Sequence, residues 1–221
     1  MLGSAGEFPD LNEQERLDFF RFYAEYVNGR VELLAGTGCI RYADTLALSN
    51  AVYELGYTPM VISPYYFEMD QEKPFVYYDR LAKDVKGDLY LYNFPPRTGH
   101  SIAPETIRRL IDANPNIIGL KDSVSTPGHT NMVCRAVEGK PFTVYSGFDD
   151  QFLSNIANNG GGGCIGALSI IVPEIWSSLV KAANERDFDR TFALYHLIQK
   201  LMPIYDMDTN CSLILKKLLV H

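Results

Sequence analysis

The chain reads as an α/β fold built on a parallel sheet. Short apolar runs alternate with amphipathic stretches along its length, and the connections are short. Its 221 residues are 47% hydrophobic and 21% charged, an ordinary globular balance with enough chain to bury a sizeable core. A third observation selects among parallel sheets. The repetition is unbroken, no dinucleotide-type glycine fingerprint follows a strand, and the polar motifs fall just after apolar runs. That pattern predicts a (β/α)8 TIM barrel, whose functional groups lie at the carboxyl ends of the strands. Six strand candidates and a stub at Met1-Leu2 fall short of the eight strands of a closed barrel. The barrel is therefore expected to be incomplete. Residues 1–172 are assigned to the partial barrel and 173–221 to the last barrel helix and a C-terminal helical region.

The elements follow in order. Asn12–Tyr26 carries Leu17, Phe20, Tyr23, Ala24 and Val27 at helical spacing, with Asp10 or Asn12 as its N-cap. Val31–Gly36 is the first strand. Thr45–Leu55 is helical and stops at Gly56. Pro59–Ser63 is the second strand, and the helix Phe75–Val85 follows Pro74. Leu89–Asn93 is the third strand. The next helix opens at Pro104-Glu105-Thr106, with proline in its first turn. Ile117–Lys121 and Thr143–Ser146 are strands, separated by the helix Gly128–Val137. Asp149–Asn158 is helical, Cys164–Leu168 is the sixth strand, and the remainder is helical.

Composition excludes several functions. A net charge of −7 argues against nucleic acid or an anionic membrane as partner. No apolar run reaches the length of a bilayer. The four cysteines lie far apart, with no CxxC and no Cys/His metal spacing. A reduced, cytoplasmic setting is expected.

The motif Asn116-Ile117-Ile118-Gly119-Leu120-Lys121-Asp122-Ser123 is the most informative. An apolar run ends in one lysine and turns polar, which places Lys121 at a strand end, partly desolvated. Desolvation disfavours an ammonium, and a neutral amine can attack a ketone to form a Schiff base. The plain alternative is a surface lysine. Gly3-Ser4-Ala5-Gly6-Glu7-Phe8 is a small-residue turn of the kind that surrounds a carboxylate with N–H groups, or a simple loop. Pro64-Tyr65-Tyr66 follows the second strand. In Tyr92-Asn93-Phe94-Pro95-Pro96-Arg97-Thr98-Gly99, a strand-end tyrosine can relay protons and the arginine can bind a carboxylate. Tyr145-Ser146-Gly147-Phe148-Asp149-Asp150 is a turn in which Asp149 caps a helix. Gly160–Gly163 supplies unusual backbone before Cys164-Ile165-Gly166. His100 and His129 have no metal-like spacing and are placed on a loop or a helix surface.

In their order, GSAGEF, PYY, YNFPPRTG, NIIGLKDS and VYSGFDD resemble the N-acetylneuraminate lyase and dihydrodipicolinate synthase superfamily of class I aldolases. The resemblance runs over essentially the whole chain and implies a (β/α)8 TIM barrel incomplete at the N-terminus, with truncated C-terminal helices. GSAGEFPDLNEQER, YNFP, NIIGLKDS and GFDDQF look most like 2-keto-3-deoxygluconate-type aldolases. The Arg-Thr-Gly after YNFPP looks more like dihydrodipicolinate synthases, where that arginine binds the second substrate's carboxylate.

The resemblance implies a pyruvate enzyme without a cofactor or metal, because the iminium is itself the electron sink. By that match Lys121 forms the Schiff base, Tyr92 is the proton relay, and Ser4 links the relay and helps hold the pyruvate carboxylate. Gly3, Ser4 and Ala5 supply the carboxylate pocket, and Ile165 lines its pyruvate side. Tyr66 matches a tyrosine that reaches a neighbouring subunit's site, so a homo-oligomer, a dimer of dimers, is implied. Ala5 departs from the family, which often has a second hydroxyl there. The implied activity is reversible cleavage of a 2-keto-3-deoxy sugar acid to pyruvate and an aldehyde. The rivals are dihydrodipicolinate synthase, N-acetylneuraminate lyase, and an inactive fragment of such an enzyme.

Overall fold

The computed structural model describes residues 1–220; His221, to which the expected C-terminal helical region extends, lies outside them. Six strands form: β1 Leu33–Gly36, β2 Tyr57–Ile62, β3 Leu89–Asn93, β4 Ile117–Asp122, β5 Thr143–Ser146 and β6 Gly161–Cys164. All neighbours pair in parallel, in the order β1-β2-β3-β4-β5-β6. The strand order never reverses, so the sheet has no switch point of the doubly wound kind. It has the sequential winding of a barrel wall. Among the described residues β6 does not pair with β1, and the sheet is open. The Met1-Leu2 stub lies beside β1, where the Gly36 N–H donates to the Met1 carbonyl at 2.8 Å. A Cβ on Gly36 would stand 2.1 Å from the Leu2 carbonyl oxygen, so only glycine admits this approach.

The helices are α1 Glu13–Val27, α2 Tyr42–Tyr53, α3 Glu72–Asp84, the single turn α4 Pro95–Thr98, α5 Pro104–Ala113, α6 Pro127–Ala136, α7 Phe152–Ile156, α8 Pro173–Asn184, α9 Phe188–Leu201 and α10 Cys211–Val220. Asn12, not Asp10, caps α1, through a reciprocal capping box with Glu15. Helix α3 starts before Pro74 and not after it, because a proline in the first turn lacks only an N–H that would have no partner there. Helix α2 likewise starts at Tyr42, with Thr45 folded into its first turn.

Two expectations fail near the C-terminal end of the sheet. The sixth strand is Gly161–Cys164, not Cys164–Leu168. Its glycines are strand residues: a Cβ on Gly161 would meet the Asn155 carbonyl oxygen at 1.9 Å, and one on Gly162 would meet Thr143 Cγ2 at 2.4 Å. Only side-chain-free backbone fits there. Beyond Ile165 the chain leaves the sheet, because the Asp149 carboxylate accepts the N–H groups of Ala167 and Leu168 at 3.2 and 3.3 Å. The expected helix over Asp149–Asn158 shrinks to a 3-10 turn followed by the short α7.

The core lies on both faces of the sheet. Val61, Leu91, Leu120 and Val144 meet Tyr78, Leu81, Ile107, Leu110 and Val133 from α3, α5 and α6. Fully burying each such side chain contributes about 1.5–3 kcal/mol. A second cluster joins Leu2, Phe8 and Phe20 to Met60, Ile62 and Tyr92. A third joins Phe152, Leu168, Trp176, Leu179 and Ile198 under the C-terminal helices. Among the described residues no helix is long and apolar enough to cross a membrane.

Candidate active site

Tyr92 and Lys121 are the penultimate residues of β3 and β4 and are register partners. Parallel pairing therefore sets phenol and amine side by side on one face of the sheet. The Lys121 Nζ lies over the Tyr92 ring, 4.5 Å from its centroid, and both residues are buried. The turn Ser4–Gly6 comes in from the far side. Ser4 Oγ stands 3.1 Å from the Tyr92 hydroxyl. A Cβ on Gly3 would lie 3.8 Å from the Lys121 Nζ, so the turn's backbone comes within reach of the amine. Gly3, Ser4, Tyr92 and Lys121 thus converge. Ile165 continues the β6 ladder through its N–H on the Ser146 carbonyl at 2.9 Å, and its side chain packs into the cluster that holds Tyr92.

The other sequence candidates stand further out. The Ala5 carbonyl accepts the Ser212 hydroxyl at 3.1 Å, and Lys216 pairs with Glu7, so α10 is docked on the turn. Arg97 is exposed, and its Nη2 donates to the Thr209 carbonyl at 3.1 Å. Tyr66 is 82% exposed with a φ of 88°, and its ring meets Phe67 edge-on.

Electrostatics keep the neighbouring thiol out of the chemistry. Burial, then the Asp149 charge, pushes the Cys164 thiol up to about 12, so it stays neutral at physiological pH. Burial also raises the carboxyl of Asp149, against the Tyr205 hydroxyl and the two N–H groups that stabilise its ionised form. Asp149 is therefore a fully enclosed clasp on the loop after β6, and its role is larger than capping a helix.

The histidines lie on the expected kinds of element, His100 on the loop after α4 and His129 on α6, but neither is a surface group. His100 is buried, with Nδ1 3.1 Å from the Thr98 carbonyl, because the loop after α4 folds inward. His129 is nearly enclosed, and its Nδ1 lies 2.9 Å from Asp122 Oδ2. The sequence carried a faint signal for this pair. Asp122 follows Lys121 in a strand and so faces the helical layer, where α6 brings His129. Arg16 was also missed. It donates to the Gly36 carbonyl at 2.6 Å from a buried position. Its place four residues before Phe20, on the buried stripe of α1, was the available clue.

Three comparisons bear on this arrangement. The profile of the Dihydrodipicolinate synthetase family matches residues 1–220. YagE of Escherichia coli K12, provisionally named as a 2-dehydro-3-deoxy-D-gluconate aldolase, is 32% identical over 222 residues, covering 99% of this chain and 73% of YagE. The E. coli K12 protein YjhH, named with similar reserve as a 2-dehydro-3-deoxy-D-pentonate aldolase, is 32% identical over 94% of this chain and 70% of its own length. A 4-hydroxy-tetrahydrodipicolinate synthase of Kosmotoga olearia is 33% identical over 95% of this chain and 72% of the synthase. The crystal structure of YagE in complex with pyruvate superposes with a TM-score of 0.94 at 31% identity, covering 100% of this chain and 74% of that one.

Proposed function

The chain belongs to the Dihydrodipicolinate synthetase family, and on that premise we propose that it is a Schiff-base lyase cleaving a 2-keto-3-deoxy sugar acid reversibly to pyruvate and an aldehyde. As a member of this family it is a lyase. The observation that carries the finer reading is the convergence of a buried amine, a phenol and a hydroxyl at Lys121, Tyr92 and Ser4. YagE, in its pyruvate complex, supports pyruvate as the shared substrate.

In this reading the Lys121 amine adds to the C2 keto carbon, and water leaves as the iminium forms. Tyr92, linked to Ser4, gives its proton to the departing hydroxyl as that water leaves, and the resulting phenolate takes the proton of the C4 hydroxyl. The C3–C4 bond breaks, its electron pair passes to the iminium nitrogen, and the aldehyde departs. The resulting enamine is protonated at C3, and water then hydrolyses the iminium to free pyruvate and the amine. Gly3, Ser4 and Ala5 hold the carboxylate, and Ile165 lines the apolar side. Tyr66, exposed here, serves a neighbouring copy in a dimer of dimers in the cytoplasm.

The test is pyruvate-dependent trapping. Borohydride should fix one pyruvate on Lys121, located by mass spectrometry, and Lys121→Arg should abolish it because a guanidinium stays protonated. An adduct on another lysine with Lys121 unmodified would overturn the assignment. A second reading, dihydrodipicolinate synthase, is favoured by Arg97 and by the similarity to the K. olearia enzyme. Turnover of a keto-deoxy acid, compared with condensation of pyruvate and aspartate semialdehyde, separates the two.

A further inference from the structure

The residues that follow Tyr92 and Lys121, Asn93 and Asp122, are the next register partners of β3 and β4. Alternation along a strand sends them to the opposite face, behind the amine and the phenol. Both are fully enclosed. Asn93 Nδ2 donates to Asp122 Oδ1 at 2.8 Å, and Asn93 Oδ1 accepts the Ile102 N–H at 3.0 Å. Asp122 Oδ2 accepts the Thr130 hydroxyl at 2.7 Å beside its contact with His129. His129 Nε2 faces the Ile102 carbonyl at 3.2 Å and Ser101 Oγ at 3.4 Å. The Asp122 carboxylate accepts, so His129 Nδ1 carries a hydrogen, and Nε2 donates to the Ile102 carbonyl when the ring is protonated.

The ladder itself explains why such a network is needed. The β3–β4 pairing shifts between Leu89 and Tyr90, where Leu89 partners Ile117 but Tyr90 partners Gly119. The amino-terminal half of the ladder is thus out of step with the half that carries the site. A slip of one residue would turn Lys121 to the outer face. The Asn93–Asp122 side-chain bond joins the two strands directly, one residue past the reacting pair.

We propose that Asn93, Asp122 and His129 form a positioning network that fixes the Lys121 amine against the Tyr92 phenol from the back of the sheet. The inference rests on the reading of Lys121 and Tyr92 as the reacting groups. Asn93 and Asp122 hold the register, and His129 and Thr130 anchor that pair to α6. The charged groups facing His129 are Asp122 from β4 and, farther away, Glu105 from α5.

The test is a reciprocal exchange. Asp122→Asn leaves Asn93, His129 and Thr130 competing for one amide oxygen. Combined with Asn93→Asp, it restores every bond: Asn at 122 donates to Asp at 93 and accepts from His129 and Thr130, while Asp at 93 accepts the Ile102 N–H. The measurement is the rate of borohydride trapping at saturating pyruvate across neutral and mildly alkaline pH, with thermal unfolding alongside. Asp122→Asn should trap as much as about 100-fold more slowly, the size of effect an ångström of misplacement produces, with its pH profile displaced. The double exchange should recover rate and profile. His129→Gln should fall between, and His196→Gln on exposed α9 should match the wild type. If Asp122→Asn does not fold, His129→Gln and the double exchange carry the test. Folded variants that trap with wild-type rate and pH profile would overturn the network while leaving the functional reading intact. A wild-type chain with no adduct on Lys121 would overturn the functional reading, and this inference with it.

Discussion

At the scale of single residues, the chemistry divides by what each group touches. Tyr92→Phe keeps the ring beneath the Lys121 amine and removes only the hydroxyl that meets Ser4. Turnover should fall about 100- to 10,000-fold, as for loss of a general acid–base group, while pyruvate binding survives. Wild-type turnover in that variant would reduce Tyr92 to a packing residue. His129 gives a pH signature. Burial lowers its pKa, but the hydrogen bond to Asp122, the Asp122 charge, the Ile102 carbonyl and Glu105 together hold it above its ordinary value. The folded state therefore binds this proton more tightly than the unfolded state. The resulting stabilisation is complete below about pH 6.5, the ordinary imidazole value, and is lost as pH rises through the raised folded value. The difference in unfolding free energy between wild type and His129→Gln should narrow from mildly acidic to alkaline pH in urea titrations. A constant difference would show that Asp122 does not bias its titration. Strand-end position singled out Lys121 and Tyr92 in the sequence, and the family resemblance singled out Ser4; the structure brings the three side by side. His129 was not singled out, because its partner lies on another element and no spacing within one element records the contact.

At the scale of elements, the alternation of strand and helix was readable, but the boundaries moved wherever tertiary contacts outweighed local preference. β3 and β5 fall where the apolar runs end. β6 does not, because its glycines look like a loop in isolation and are required only by the nearness of Asn155 and Thr143. Gly161→Ala should consequently destabilise the fold more than a substitution at a helix end, since its Cβ would meet backbone and not a movable side chain. Asn12→Ala supplies the comparison. It removes one side of the α1 capping box and should cost about 1 kcal/mol. Chemical denaturation of both variants checks the order, and an Asn12→Ala loss equal to or above that of Gly161→Ala would contradict it.

At the scale of the whole molecule, the sheet runs in sequence order from β1 to β6, and among the described residues no further strand pairs with β6. Phe22, Tyr26 and Val31 stand exposed beside the other end, at 61%, 65% and 64%. Unpaired strand edges and clustered exposed apolar groups favour association. The described chain should therefore show a solution mass above that of one chain, rising with concentration in sedimentation experiments; a single-chain mass at all concentrations would refute this. The sequence foretold the open sheet through its count of apolar runs. It did not foretell that α10 would settle on the first turn, because Ser212 and Ala5 stand 207 positions apart and nothing local records their meeting. That seat has a consequence in time. Its described polar ties are the Ser212 hydroxyl, the Lys216–Glu7 pair and the neighbouring Arg97 bond to Thr209, while Leu215 is its buried apolar anchor. Such a segment opens at a small fraction of the free energy that unfolds the sheet. Amide hydrogens over residues 211–220 should then exchange with deuterium well before those of β3 and β4, and each opening briefly unroofs the turn that carries Ser4.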